Sequence, residues 1–450
     1  MVVDGEHYPP VIEAALGTLA ARGHEILSAL LAGGREKLSA RGLDRLGDVP
    51  VRSGPDARSV LDTALRELRP DGVMDLSDEP VLDYRRRHEL AAIALWHGVP
   101  YEGADFRFSP PARPRLAAKP SIAVVGTGKR TGKTAVAGFT ARTLAEAGRR
   151  PIVVAMGRGG PAEPEVLRGD EIDLTPADLL ALADAGKHAA SDYIEDAFLA
   201  RVPTVGCRRC GGGLAGGVEI TNVPRGVEMA NEMDGDLILL EGSGSSIPPV
   251  AADVTGLIVP ASIAPEYLSG YMGPYRMLIA DFVVVTMCEN PFGSPSQISE
   301  VVARIGDAFR SSTDEGPRKA ARVVRTVFRP VPTRSIEGAG VFVATTAPEV
   351  AGEAIKGHLE GQYRCRVVGI AHSLSDRKKL EADLSERDKG AEILLCEIKA
   401  AAVDVATRRA LEEGLDVVYM DNVPIGIEGD DPAAVVEWAA AEADRRFRGT

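Results

Sequence analysis

The residues best equipped for chemistry lie in GTGKRTGKT, residues 126–134, between the apolar run SIAVV and the Ala-rich stretch AVAGFTARTLAEAG. Glycines let backbone N–H groups wrap an anion, a helix start adds the positive end of its dipole, a lysine reaches terminal phosphates, and a hydroxyl holds the accompanying divalent ion. The usual phosphate loop reads GxxxxGK[ST]. Gly132, Lys133 and Thr134 are in register here, whereas the first glycine position falls on Thr127 and Gly126 stands one residue early. Gly126, Thr127, Gly128, Lys129, Arg130, Thr131, Gly132, Lys133 and Thr134 form the expected nucleotide site, and Lys129 and Arg130 are cations beyond what the motif needs.

Other strand ends add to that surplus. Arg158 sits between glycines in AMGRGGPAEPE, where it can chelate two phosphate oxygens, and Arg208 and Arg209 precede a glycine run in GCRRCGGGLAGG that can fold into an anion-binding nest. So much positive charge implies a second, polyanionic substrate beside the nucleotide. Lys133, Lys129 and Arg158 are then the expected catalytic cations, with Arg158, Arg208 and Arg209 holding substrate. Asp4, Glu6 and His7 follow the first apolar run, at a strand end where a ligand is within reach. Lys399, Asp421 and Asn422 hold similar places late in the chain, as cleft residues or as caps. Consecutive Arg85, Arg86 and Arg87 on an expected helix point in different directions and read as a solvated face.

The elements that position these residues alternate strand and helix. FSPPARPRLAAKP, 108–120, has prolines, basic residues and no apolar period, and marks a linker at 113–120. Before it, residues 1–112 read as a small α/β, Rossmann-like domain. After it, residues 121–450 carry ten apolar strand candidates with Val/Ile/Leu runs suited to burial on both faces. That pattern predicts a larger, doubly wound, mostly parallel sheet of P-loop NTPase type with a C-terminal α/β extension. RSSTDEGPRKAAR, 310–322, reads as an exposed loop.

Bulk properties narrow the partners. A chain of 450 residues exceeds one ordinary core, and 45% hydrophobic with 26% charged residues suits a globular protein. A net charge of −13 disfavours nucleic acid and anionic membrane and favours a small molecule. The acidic start lacks the basic and apolar regions of a secretory leader, no apolar run approaches membrane length, and the five cysteines make no disulfide framework, so the expected location is cytoplasmic. Cys207 and Cys210 are close enough to suggest a rival reading, a nucleotide-driven dimer switch that delivers a metal.

The shifted glycine of GTGKRTGKT resembles the loop of the dethiobiotin synthetase group of P-loop enzymes, which implies a homodimer. DGDLILLEGSGS resembles that group's strand ending in EGAG, which implies that Glu241, with Thr134, holds Mg²⁺. VVVTMCENP ends where relatives of this class read the base, which assigns Asn290 to adenine; the chain lacks the Thr/Asn-Lys-x-Asp guanine signature, so ATP is the expected nucleotide. Taken in order, DGEHYPP, GTGKRTGKT, AMGRGGPAEPE, RRCGGGLAGG and EGSGSSIPP resemble the cyclic 2,3-diphosphoglycerate synthetase family, and LLCEIKAAAVDVAT and VVYMDNVP extend the likeness into the C-terminal third. The resemblance implies an ATP-dependent ligase that closes the intramolecular phosphoanhydride of 2,3-diphosphoglycerate, releasing ADP and phosphate, with Glu6 and His7 among its substrate residues. The nearest alternative is a kinase making 2,3-diphosphoglycerate from 2-phosphoglycerate. Since a phosphate dianion is already ionised, no general base is needed, and no histidine is expected near the loop.

Overall fold

A computed structural model describes residues 1–34, 44–189, 191–310, 322–387, 390–399 and 401–449. Apart from its ends, the loop expected over 310–322 lies outside the described residues. The N-terminal part carries β1 (Val2–Val3), β2 (Ala29–Leu31), β3 (Arg45–Leu46) and β4 (Val49–Arg52) in the order β1-β2-β4-β3, and β5 (Val73–Met74), β6 (Tyr101–Glu102) and β7 (Arg107–Phe108) in a second row. A parallel bridge between Val2 and Asp75 joins the rows. β1, β2 and β4 run parallel, as do β5 and β6, while β3 and β7 return antiparallel at the two margins.

The remaining strands form one 13-stranded sheet. They are β8 (Ser121–Gly126), β9 (Pro151–Gly157), β10 (Glu165–Arg168), β11 (Pro203–Cys210), β12 (Ile220–Thr221), β13 (Leu237–Glu241), β14 (Val254–Pro260), β15 (Phe282–Thr286), β16 (Arg322–Pro332), β17 (Gly340–Ala344), β18 (Arg366–Ala371), β19 (Ile393–Glu397) and β20 (Asp416–Gly426). Their order is β10-β11-β9-β13-β8-β14-β15-β16-β20-β19-β17-β18, with β12 against β11. All ten expected strands are present; β10, β11 and β12 were not foreseen. GCRRC, expected as a glycine turn, closes β11 instead, because the Thr-Val-Gly-Cys run before it pairs parallel with β9 and carries the ladder on to Arg208.

β8, β9, β13, β14 and β15 are buried along nearly their whole length, as strands covered on both faces must be. One face packs on helices Lys133–Glu146, Asp192–Ala200 and Pro432–Arg448, the other on Val223–Glu232 and Gly273–Ile279. The helix Tyr84–Trp96 of the N-terminal part packs on Gly273–Ile279 and shares its apolar cluster.

β16 organises the far half. Its first residues pair parallel with β15, and residues 326–332 pair antiparallel with β20. β19, β17 and β18 then follow β20 in its own direction. This reversal, added to the sheet's twist, turns the carboxyl ends of the far strands back towards those of β8, β9 and β13. Gly256 in β14 shows how tightly the centre is built, since a Cβ there would lie 2.2 Å from the Phe282 ring. Gly256→Ala should therefore cost about 1–3 kcal/mol by overpacking, read as a lowered urea midpoint with an unchanged slope.

Candidate functional site

Gly126 ends β8 and Gly132 starts the helix at Lys133 with φ +82°. Any side chain at Gly132 would collide with the Phe328 ring, 2.3 Å from an ideal Cβ, so glycine is required there by both conformation and space. The loop is tied at two points: Thr127 N–H donates to the Ile258 carbonyl, and the Thr286 hydroxyl donates to the Thr131 carbonyl. Lys129 and Arg130 are exposed, Arg130 with φ +61°, and Thr134 is half-buried.

Lys133 is buried, and its Nζ lies 2.5 Å from Oε1 of the fully buried Glu241 at the end of β13. Burial opposes the ammonium charge, yet the Glu241 carboxylate more than offsets it and raises the lysine's pKa. Glu241 Oε2 is buried and receives no hydrogen bond from an N–H group, its nearest polar neighbour being the Asp196 carboxyl. Around this pair stand three acids from the turn and helix SDYIED, 191–196. Burial, then the Glu241 charge, pushes Asp192 upward and Asp196 well above the ordinary carboxylate range. Burial likewise pushes Glu195 up to about 7, against the pull of Lys399, whose Nζ lies 2.9 Å away.

The far half of the sheet meets this cluster. Lys399 follows β19, Arg142 of the phosphate-loop helix pairs with Asp421 of β20, and Asn422 donates to Glu397, which also accepts from the Thr345 and Thr346 hydroxyls. Lys399, Asp421 and Asn422 are thus all engaged.

Two arginines arrive from the other side. A Cβ on Gly244, in the EGSGSS turn, would lie 3.1 Å from a terminal nitrogen of Arg158 and 3.6 Å from one of Arg209. The Gly244 carbonyl itself would lie 2.8 Å from a Cβ on Gly126, so both guanidinium groups stand beside the phosphate loop. Burial, then the neighbouring Arg158, lowers the Arg209 pKa, and its buried Nε has no partner. Arg208 is exposed on the opposite face of β11, since successive strand residues alternate. His188 stands against Gly159 in the turn after β9, its Cγ 3.2 Å from an ideal Cβ.

Arg276 holds two turns beside these groups. Its buried guanidinium donates to the carbonyls of Ser245, Leu214 and Met272, which locks the EGSGSS turn against the glycine run after β11. Burial lowers its pKa to about 10.

Other expected residues lie elsewhere. His7 Nδ1 is 2.8 Å from Asp4, whose carboxylate also accepts from the backbone of Glu6, His7 and Asp78, forming a polar cluster on the N-terminal part. Asn290 is exposed beyond β15, beside Glu289, which Arg329 grips through both oxygens. Arg87 corrects the solvated-face reading, for it pairs with the buried Asp75 at 3.1 Å and donates to Ser77. Cys207 is buried against Gly226, its thiol pushed up to about 12 by burial, while Cys210 is exposed on the other strand face, so the two cannot chelate one ion together.

A glycine-rich turn from strand to helix, a lysine at the helix start and an acid at the end of the adjacent strand define a P-loop nucleotide enzyme. Three family models cover the chain: the N-terminal domain of cyclic 2,3-diphosphoglycerate synthetase at residues 1–109, its P-loop domain at 121–313 and its C-terminal domain at 332–423. The chain belongs to the cyclic 2,3-diphosphoglycerate synthetase family. It is 44% identical to the cyclic 2,3-diphosphoglycerate synthetase of Methanothermobacter thermautotrophicus, covering 99% of this chain and 97% of that one. The Methanothermus fervidus protein of the same name is 44% identical, over 97% of this chain and 95% of its own, and the one from Rubrobacter xylanophilus 45% identical over 95% of each. Among the described residues no helix is long and apolar enough to cross a membrane.

Arg276→Lys keeps the charge and loses the planar fork, so it should cost about 1–2 kcal/mol of unfolding free energy in a urea titration. Glu195 gives a pH dependence in the nucleotide-free protein. Its folded pKa of about 7 exceeds the ordinary 4.5, so its contribution is complete below 4.5 and is lost as pH rises through 7. Unfolding free energy should fall by about 2 kcal/mol between pH 5 and 8, and Glu195→Gln should flatten that fall; an unchanged slope would show that the proton sits elsewhere.

Proposed function

We propose that the protein is the ATP-dependent ligase that closes the phosphoanhydride of cyclic 2,3-diphosphoglycerate from 2,3-diphosphoglycerate, with ADP and phosphate as the other products. The observation that carries this reading is the pairing of Arg158 and Arg209 over Gly244, two guanidinium groups that form no ion pair with a carboxylate among the described residues, next to a nucleotide loop. Like charges held this close call for a ligand with at least two anionic groups.

In this reading the loop from Gly126 to Thr134 wraps the ATP phosphates with its N–H groups, and Asn290 contacts the adenine. The triphosphate draws Lys133 away from Glu241, so the ion pair is a resting state that nucleotide opens. Glu241 Oε2, buried without an N–H donor, and the Thr134 hydroxyl are suited to a divalent cation, and Mg²⁺ held there would neutralise charge on the transferring group. Arg158 and Arg209 hold the two phosphates of 2,3-diphosphoglycerate against their repulsion. One substrate phosphate oxygen attacks the γ phosphorus and ADP departs. The neighbouring phosphate oxygen then attacks the substrate-derived phosphorus, and the former γ-phosphoryl group leaves as phosphate. Lys129 and Lys133 counter the charge that develops in both steps. A cytoplasmic homodimer is part of the proposal, supported by likeness to the dethiobiotin synthetase group.

Phosphorus NMR of the protein with ATP, Mg²⁺ and 2,3-diphosphoglycerate should show two phosphomonoester signals replaced by a phosphoanhydride pair, with one ADP and one phosphate formed per ring. Conversion of 2-phosphoglycerate to 2,3-diphosphoglycerate without ring closure would assign the protein to the kinases instead. Arg158→Ala and Arg209→Ala should each lower kcat/KM for 2,3-diphosphoglycerate by about 10²–10³, with nucleotide affinity nearly unchanged.

A further inference from the structure

A cavity of about 750 Å³ opens at the edge of the sheet opposite the phosphate loop. It lies by the amino ends of β14, β15 and β16, where Asp253, Asp281 and Arg322 stand, about 20 Å of strand length from the loop. Four separate stretches of the chain contribute walls: Trp96 from the first domain, Arg113 from the connecting segment, Tyr275 from the P-loop region, and Trp438 from the last helix.

Four guanidinium groups and three carboxylates line it. Arg446 is committed to Asp281 at 2.7 Å and Glu442 at 2.8 Å, and Arg115 to Asp253 at 3.2 Å. Arg113 and Arg322 have no carboxylate partner among the described residues. The Arg113 Nε is buried and receives no hydrogen-bond partner, although its guanidinium bonds the Tyr275 hydroxyl. Arg322 lies over the Trp438 ring at 4.7 Å, a contact that orients a guanidinium and leaves its N–H edge to other acceptors. Structural arginines usually find carbonyls or carboxylates for their donors, as Arg276 does. A guanidinium with an unused buried Nε and an exposed one held on the Trp438 ring, both beside one polar cavity, are suited to chelating phosphate oxygens.

We infer that this cavity is a second anion site that binds a small ligand with two phosphate groups, through Arg113 and Arg322, apart from the phosphate loop. Occupancy would tie the connecting segment and the last helix to the base of the sheet. The inference stands independently of the reading of the reaction, because it rests on none of the residues assigned to it.

Both of the protein's two tryptophans line the cavity, so intrinsic fluorescence reports on it directly. The full chain is titrated with inorganic pyrophosphate and, separately, with 2,3-diphosphoglycerate, without nucleotide. A saturable change in tryptophan emission is expected with at least one probe, weakened tenfold or more in Arg113→Gln and Arg322→Gln and preserved in Lys133→Ala. Response to pyrophosphate alone would point to an inorganic ligand, and response to both to any closely spaced phosphate pair. Arg322→Lys, which keeps charge at the cavity mouth, should retain part of the affinity, and equal thermal midpoints guard against misfolding. The inference is overturned by the absence of a saturable change at millimolar probe, by a response indifferent to both arginine variants, or by one that disappears with Lys133→Ala.

Discussion

Antiparallel pairing of β16 with β20 is the constraint on which the site depends. Were β20 parallel to β16, the carboxyl ends of β19 and β20 would face away, and Lys399 would have no route to Glu195. With the reversal, Lys399 and the Arg142–Asp421 pair meet the acids around Lys133 inside one low-dielectric space. Carboxylates in such a space either hold protons or require cations. Asp196 does the first, and Lys133 and Lys399 supply the second for Glu241 and Glu195.

Charge is sorted across the cleft as a result. Acids gather on the side of Asp192–Ala200 and guanidinium groups on the side of the EGSGSS turn, with the phosphate loop between them. The acid side can accept cations and protons, and the guanidinium side anions. Arg276 ties together the two turns beside these guanidinium groups, since its donors are spent on the Ser245 and Leu214 carbonyls.

Much of this was legible from residue types alone. The phosphate loop announces itself through local chemistry, GKT in register after an apolar strand, and Arg158 through its flanking glycines. Glu241 was found because a buried strand ends on it. What stayed hidden depends on distant pairing. SDYIED carries acids at i, i+3 and i+4, one face of a helix, and that spacing was a readable signal for Asp192, Glu195 and Asp196. Nothing in GPYRML distinguishes a buried Arg276 from a surface one. The strand Pro203–Cys210 was missed because arginines and glycines mask its short apolar alternation, and with it the fact that Arg208 and Arg209 face opposite ways. The role of Arg87 is hidden for a related reason: its partner Asp75 lies just after β5, a contact that helix periodicity cannot encode.

The resting contact between Lys133 and Glu241 completes the physical argument. A buried lysine without a counter-ion would lose its proton and with it the charge a phosphate needs. Glu241 preserves that charge when nucleotide is absent, at the cost of competing for it when nucleotide arrives. A triphosphate carries more negative charge than one carboxylate, and the loop N–H groups add to its hold, so the exchange favours the nucleotide. Release of Lys133 in turn leaves both Glu241 oxygens without a cation beside Asp192 and Asp196.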